Sequence, residues 1–304
     1  MAKTHSQFVC QQCGYESVGY MGKCPECGSW GSLVETITSE VKSGKFKVKS
    51  SSMAEPVSLS SISSKKTSRI STKISELDRV LGGGLVPGQV VLIAGEAGIG
   101  KSTILLQLAD KLALPAGRQG NMLYVSGEES AGQIKVRADR LGIINKSSIN
   151  ILESTDVDEI INTCDTRNTC FTCIVVDSIQ TMSTSDLSGL AGSVGQVREC
   201  AFRLLRKAKE KNIPLFLVGH VTKEGTVAGP AVLAHIVDTV LWFEGDKTLT
   251  LRLLRAVKNR FGPTDEVGIF EMEDKGLISQ TNAEKIFLSA GLPAGRQVAG
   301  SVVS

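Results

Sequence analysis

The stretch Gly88 to Leu112, GQVVLIAGEAGIGKSTILLQLADKL, decides the fold. It opens with an apolar run, Val90 to Ala94, passes through a glycine-rich turn, and continues with apolar residues at helical spacing. The turn matches GxxxxGK[ST] from Gly95 to Ser102, and strand, loop and helix occur in the order a phosphate-binding loop requires. Backbone N–H groups from Gly98 to Ser102, at a helix N-terminus, would cradle phosphates. Lys101 would reach the β and γ oxygens, and the Ser102 hydroxyl would ligate Mg²⁺. Gly95, Glu96, Ala97, Gly98, Ile99, Gly100, Lys101, Ser102 and Thr103 therefore form the expected ATP-binding segment.

A buried strand should deliver the acid that completes such a site. In CIVVDS, four apolar or small residues lead to Asp177, which suits magnesium binding. NMLYVSGEES ends on Glu128 and Glu129, either of which could orient an attacking water. IPLFLVGH brings His220 to the same sheet edge, where ligands bind in open α/β sheets, and a γ-phosphate-sensing role is open to it. The strands alternate with helical stretches such as VGQVRECAFRLLRKAKEK, which predicts an α/β fold with a mainly parallel sheet covered on both faces. From Thr239, TVLWFEGDKTLTLRLLRAVKNRFGP reads as a hairpin turning at Gly245-Asp246, an antiparallel extension of that sheet. Lys258 and Arg260 sit two apart near its end, so they should face one partner, and no acid lies nearby in sequence.

Upstream, CQQCGYESVGYMGKCPECG places Cys10, Cys13, Cys24 and Cys27 as two CxxC pairs, each followed by glycine. This is tetrahedral Zn²⁺ spacing, with no open position for catalysis, and a segment this short draws its folding free energy from the metal. Cys170 and Cys173, with Cys164 nearby, lack a fourth ligand and read as packing residues. The expected organisation is a zinc finger over 1–35, a serine- and lysine-rich linker over 36–70, an ATPase domain over 71–283 and a tail over 284–304. Across 304 residues the formal net charge is +3, too balanced to indicate nucleic acid or membrane by itself. No apolar run approaches the roughly 20 residues of a membrane span, so a cytoplasmic protein is expected.

Taken together, the four-cysteine finger, GEAGIGKST, YVSGEES, VVDSIQT, GSVGQVREC, GHVTKEGTVAGP, VDTVLWFEGD and LRAVKNRFG resemble the bacterial RadA (Sms) DNA repair proteins of the RecA-like ATPase superfamily. The resemblance covers nearly the whole chain. It implies a RecA-like P-loop core, DNA-stimulated ATP hydrolysis, a homo-oligomeric ring expected to be a hexamer, and action with RecA in branch migration on single-stranded or branched DNA. It also implies that Lys258 and Arg260 reach a neighbour's γ-phosphate or DNA. The loops TMSTSDLSGLAGSVGQ and VTKEGTVAGP correspond in order to DNA-binding loops of that superfamily, with Lys223 as a phosphate contact.

Members of the family usually continue into a Lon-protease-like domain, and this sequence reads AGSVVS where that domain would begin, which bears on assembly and DNA binding. LPAGRQ occurs at 114–119 and again at 292–297, and reads as an inserted element tolerated at exposed turns. Two rival readings carry different expectations. An adaptor using ATP only as an assembly switch would bind ATP without DNA-stimulated turnover, and an ATPase acting on protein partners would hydrolyse it independently of DNA.

Overall fold

The computed structural model describes residues 5–38, 58–61, 68–113, 120–166, 171–220, 230–245 and 250–280. Both LPAGRQ segments, Cys170, Lys223 and the Gly245-Asp246 turn beyond Gly245 lie outside them.

The N-terminal finger is a three-stranded antiparallel sheet of β1 (His5–Cys10), β2 (Glu16–Ser17) and β3 (Leu33–Thr38). Its small core consists of Cys10, Cys24 and Leu33, with Phe8, Cys13, Tyr15 and Met21 packed against them. Little apolar area is buried, so a further source of cohesion is needed, as the cysteine spacing anticipates.

The core follows the order α1 (Ser75–Leu81), β4 (Val90–Gly95), α2 (Lys101–Leu112), β5 (Asn121–Ser126), α3 (Ala131–Arg140), β6 (Ile149–Glu153), α4 (Val157–Thr166), β7 (Phe171–Asp177), α5 (Val194–Lys211), β8 (Leu215–His220), α6 (Pro230–Ala234), β9 (Thr239–Glu244), β10 (Leu251–Asn259), β11 (Val267–Glu273) and β12 (Gly276–Ser279). One sheet runs β12-β11-β10-β9-β4-β8-β7-β5-β6. From β9 to β6 the pairings are parallel, and from β9 to β12 they are antiparallel, as expected from the change of pattern after Val237.

The apolar runs read correctly as strands buried on both faces. Val91 and Ile93 of β4 join the cluster under α1, α2 and α3, whereas Val90 and Leu92 join the one under α4, α5 and α6. Period-two alternation therefore serves two cores, which is why these strands carry no polar face. α5 spans the expected segment, starting at the Ser193 cap, whose hydroxyl accepts from the Gln196 N–H, and stopping at Asn212 in left-handed conformation (φ 55°). At the finger, β3 continues to Thr38, beyond the expected boundary at 35, and the core is engaged from Ile70, which bridges Leu85.

Candidate active site and metal centre

Strand register builds the site. Gly95 pairs with His220 across β4 and β8, and Ser126 pairs with Asp177 across β5 and β7, so four strands end along one edge. Gly95 and Gly100 have steric reasons to be glycine. A Cβ on Gly95 would lie 2.4 Å from the Phe243 carbonyl oxygen, and Gly100, at φ 118°, would put one 2.8 Å from Met272 Cε. Gly100 caps α2, and its tight packing aims the first N–H groups of that helix into the loop.

Lys101 is buried, and its ammonium donates to the Gly95 carbonyl at 2.8 Å and the Glu96 carbonyl at 2.7 Å. Burial pulls its pKa down to about 8, against the opposing pull of Asp177 and Glu128. A cation folded onto the carbonyls of its own loop, and starved of solvent, suits an incoming phosphate.

The structure separates the two glutamates. Glu129 pairs with Arg137 on α3, and its backbone N–H and carbonyl are held by the Ser126 hydroxyl. Glu128 accepts from the Ser178 hydroxyl at 2.6 Å and lies 3.5 Å from His220 Nε2, a distance of ion-pair reach without a hydrogen bond. Both imidazole nitrogens of His220 are buried with no hydrogen-bond partner among the described residues, although Gln180 donates to its backbone carbonyl at 3.2 Å. A buried polar ring without a protein partner beside the phosphate loop fits an oxyanion as its ligand.

Sequence reasoning missed three participants. The Tyr124 hydroxyl donates to Asp177 Oδ2 at 2.8 Å, and burial followed by the nearby Asp177 charge drives its own pKa well up, so it stays a donor that aims the carboxylate. Arg137 holds Glu129, and Arg252 of β10, itself buried, donates to the Ile99 carbonyl behind the loop at 3.2 Å. The tyrosine in NMLYVS was an available signal, a polar tip on a buried strand, whereas Arg252 is one of two arginines in LTLRLLRA and only burial tells it from Arg255.

Lys258 and Arg260 share one partner region, as their spacing predicts, but that region belongs to their own subunit. The Lys258 ammonium donates to the carbonyls of Ala234 at 2.6 Å and Val237 at 2.9 Å, and the Arg260 guanidinium lies 3.4 Å from Asp238. The acid absent from the neighbouring sequence comes from a distance: Asp238, 22 positions upstream, is carried there by β9 pairing with β10. Its nearly buried carboxylate also accepts from Lys209 and from the Val90 N–H, while 54% of the Arg260 side chain stays exposed. A bulge between Ala256 and Lys258 keeps both cations on the Asp238 side.

In the finger, the sulfurs of Cys10, Cys13, Cys24 and Cys27 all lie within 4.8 Å of one another, with Cys10 to Cys27 at 3.6 Å and Cys13 to Cys24 at 3.5 Å. Four thiolates around Zn²⁺ at about 2.3 Å stand roughly 3.8 Å apart, so the donor set fits a structural zinc. Cys173 and Cys164 are buried, as read for packing residues.

A phosphate loop opening a helix inside a mainly parallel sheet, with an acid at the end of β7, one strand removed from β4, defines a P-loop nucleotide-binding domain. The chain belongs to the AAA-domain family, whose profile matches residues 55–226, and a rubredoxin metal binding domain profile matches residues 8–35. It is 49% identical to the DNA repair protein RadA of Bacillus subtilis (strain 168), over 99% of this chain and 66% of that protein. Against the RadA of Halalkalibacterium halodurans it is 47% identical, over 100% of this chain and 65% of the relative. The resemblance to RadA proteins is thus borne out, and the chain spans a little under two thirds of the length of these relatives. Among solved structures, the KaiC-like protein PH0186 of Pyrococcus horikoshii OT3 superposes with TM-score 0.57 at 20% identity, over 70% of this chain and 99% of that one, and shares the fold. No described helix is long and apolar enough to cross a membrane.

Proposed function

We propose that the chain is a DNA-dependent ATPase of recombinational DNA repair, acting in the cytoplasm as a ring-shaped motor with RecA in branch migration. The observation that carries the ATPase part is the unsatisfied His220 imidazole 3.5 Å from Glu128, on the strand beside Gly95. The DNA and RecA parts rest on the RadA relatives.

In this reading Lys101 leaves the Gly95 and Glu96 carbonyls for the phosphates. Ser102 and Asp177, the latter aimed by Tyr124, would hold Mg²⁺, which would supply charge neutralisation for the phosphates. Glu128, which has no arginine partner among the described residues, orients the attacking water, and His220 donates to the γ-phosphate and reports its presence to Glu128 and Ser178. Glu129 with Arg137 shapes the turn without touching the reacting atoms. Glu128→Gln is expected to lower turnover by about 10²-fold or more while ATP still binds, and Glu129→Gln by less than about tenfold. Steady-state hydrolysis with parallel binding of a fluorescent ATP analogue measures both; equal losses would return the base assignment to both glutamates.

Arg260, half exposed, would exchange Asp238 for a neighbour's γ-phosphate, with Lys258 beside it on the phosphate or on DNA. Turnover is to be measured with and without single-stranded DNA for the wild type, Lys258→Ala and Arg260→Ala, alone and mixed with Lys101→Ala chains. Stimulation lost in the singles and partly recovered in the mixtures is the expected result. Unchanged turnover in both variants would leave the cations in their contacts with residues 234–238, the arrangement that favours an adaptor using ATP only as an assembly switch.

A further inference from the structure

The antiparallel side of the sheet reaches the phosphate loop from behind. Gly95 ends β4 opposite Phe243 of β9, and Phe243 stands opposite Leu254 of β10. Leu254 and Ala256 join the cluster that packs under α2. Period two puts Arg252 on that same face, and because β10 runs antiparallel to β9, Arg252 stands past the end of β4, level with the loop. It is 7% exposed. Its Nε–H donates to the Ile99 carbonyl at 3.2 Å, and Nη1 donates to the Leu251 carbonyl at 2.9 Å. Beside it, Met272 of β11 and Leu277 of β12 close over Gly100. Leu277 is tied in turn to α2, donating to Gln107 Oε1 at 3.0 Å and accepting from Gln107 Nε2 at 3.1 Å.

The Ile99 carbonyl matters for what lies at the other end of its peptide. A trans peptide is planar, and its C=O and N–H point in opposite directions. With the Ile99 oxygen drawn back toward β10, the Gly100 N–H is turned the other way, into the loop. The helix does not set this direction. Its ladder begins one peptide further on, where the Gly100 carbonyl accepts from the Ile104 N–H at 3.0 Å. Gly100 sits at φ 118°, where glycine has wide freedom, so the aim of its N–H must be fixed from outside the helix.

We propose that Arg252 is a positioning residue for the nucleotide: from behind the loop it holds the Ile99–Gly100 peptide so that the Gly100 N–H faces the phosphates. The inference rests on the reading of this loop as an ATP site. It adds to Lys101 a donor whose aim is set by a distant strand. A donor that meets a phosphate alike before and during the reaction contributes to binding more than to turnover, so KM carries the effect.

The test compares Arg252→Met with Arg252→Gln in the full chain. The Gln amide nitrogen takes the place of Nε, and the Met methyl takes the same place without a donor. Both variants lose the guanidinium, its charge and its bond to Leu251, so they differ at the one hydrogen bond to Ile99. Arg252→Met should raise the KM for ATP and the Kd for ADP at least about tenfold, with kcat changed less than about threefold. Arg252→Gln should stay within about threefold of the wild type in all of these. Should Arg252→Met fail to fold, Arg252→Ala supplies the arm without a donor.

The peptide itself can be watched. Ile-Gly occurs once in the sequence, at 99–100, so a chain carrying ¹³C-carbonyl isoleucine and ¹⁵N-glycine has one doubly labelled amide, that of Gly100. Its resonance in the wild type should move when MgADP binds. Without nucleotide it should be displaced in Arg252→Met and unmoved in Arg252→Gln. If the two variants match in KM and in this resonance, Arg252 does not aim the peptide, and the ATP site stands without it. If the wild-type resonance ignores millimolar MgADP, the phosphates do not meet Gly100, and the ATP reading of the loop falls together with the inference.

Discussion

Lys101→Ala is expected to lower ATP turnover by about 10²–10³-fold, with the protein still folded. The loss follows from the geometry: the ammonium is the one cation seated in the loop among the described residues, within reach of the Gly95 and Glu96 carbonyls and of the charges on Asp177 and Glu128. Stability should change little. Two hydrogen bonds disappear, but so does the cost of keeping a charge out of water, and the melting temperature should stay within a few degrees at about pH 7. The sign of the pH dependence follows from the lowered pKa. Between about 8 and the ordinary value of 10.5 the unfolded chain holds a proton on this lysine that the folded chain has given up. Wild-type stability therefore gains an increment as pH rises through that window, and the variant lacks it. ATP favours the charged form, so its affinity for the wild type should fall as pH rises past about 8, by at most about tenfold per pH unit, with a proton taken up on binding. Calorimetric titration in buffers of differing ionisation enthalpy reads that proton directly. No uptake near pH 9, together with turnover that survives the substitution, would mean that the phosphates do not meet Lys101.

Local patterns carried most of the fold, because buried strands, a phosphate loop and capped helices each follow from neighbouring residues. Val90 to Gly95, Phe171 to Asp177 and Val194 to Lys211 are legible since their apolar periods are uninterrupted. The contacts that tune the site are not local. Tyr124 meets Asp177 across 53 positions, Arg252 meets Ile99 across 153, and Asp238 gathers Lys209, Val90 and Arg260 from three separate elements. Such pairings depend on strand order, which periodicity does not encode. Glu128 and Glu129 look alike in sequence for the same reason: only the position of Arg137, on the helix that follows, gives Glu129 an arginine partner. The cation pair shows the limit from the other side. Spacing correctly predicted that Lys258 and Arg260 share a partner region, and the fold supplied one that local sequence conceals.

Removing zinc should unfold the finger and leave the ATPase core standing. The two parts have separate cores: among the described residues the finger buries Cys10, Cys24 and Leu33, whereas the sheet is covered by two extensive clusters. Structural zinc contributes on the order of 10–16 kcal/mol to domains of this kind, more than so small a core can replace. Chelation, or Cys13→Ser with Cys24→Ser, should therefore erase protection of the β1–β3 amides in hydrogen exchange. The amides of β4, β7 and β8 should remain as slow as in the untreated chain, because their ladders and both packing clusters owe nothing to the metal. ATP binding should persist for the same reason, since the phosphate loop joins β4 to α2 and its Gly95, Ile99 and Lys101 are buried in the core. Zinc release should in turn weaken as pH rises, because each ligand binds as thiolate and protons compete for all four sulfurs. If the β1–β3 amides stayed protected after the metal was stripped, the finger would be held by its contacts alone. If β4 and β8 lost protection along with it, the finger and the ATPase core would form one cooperative unit.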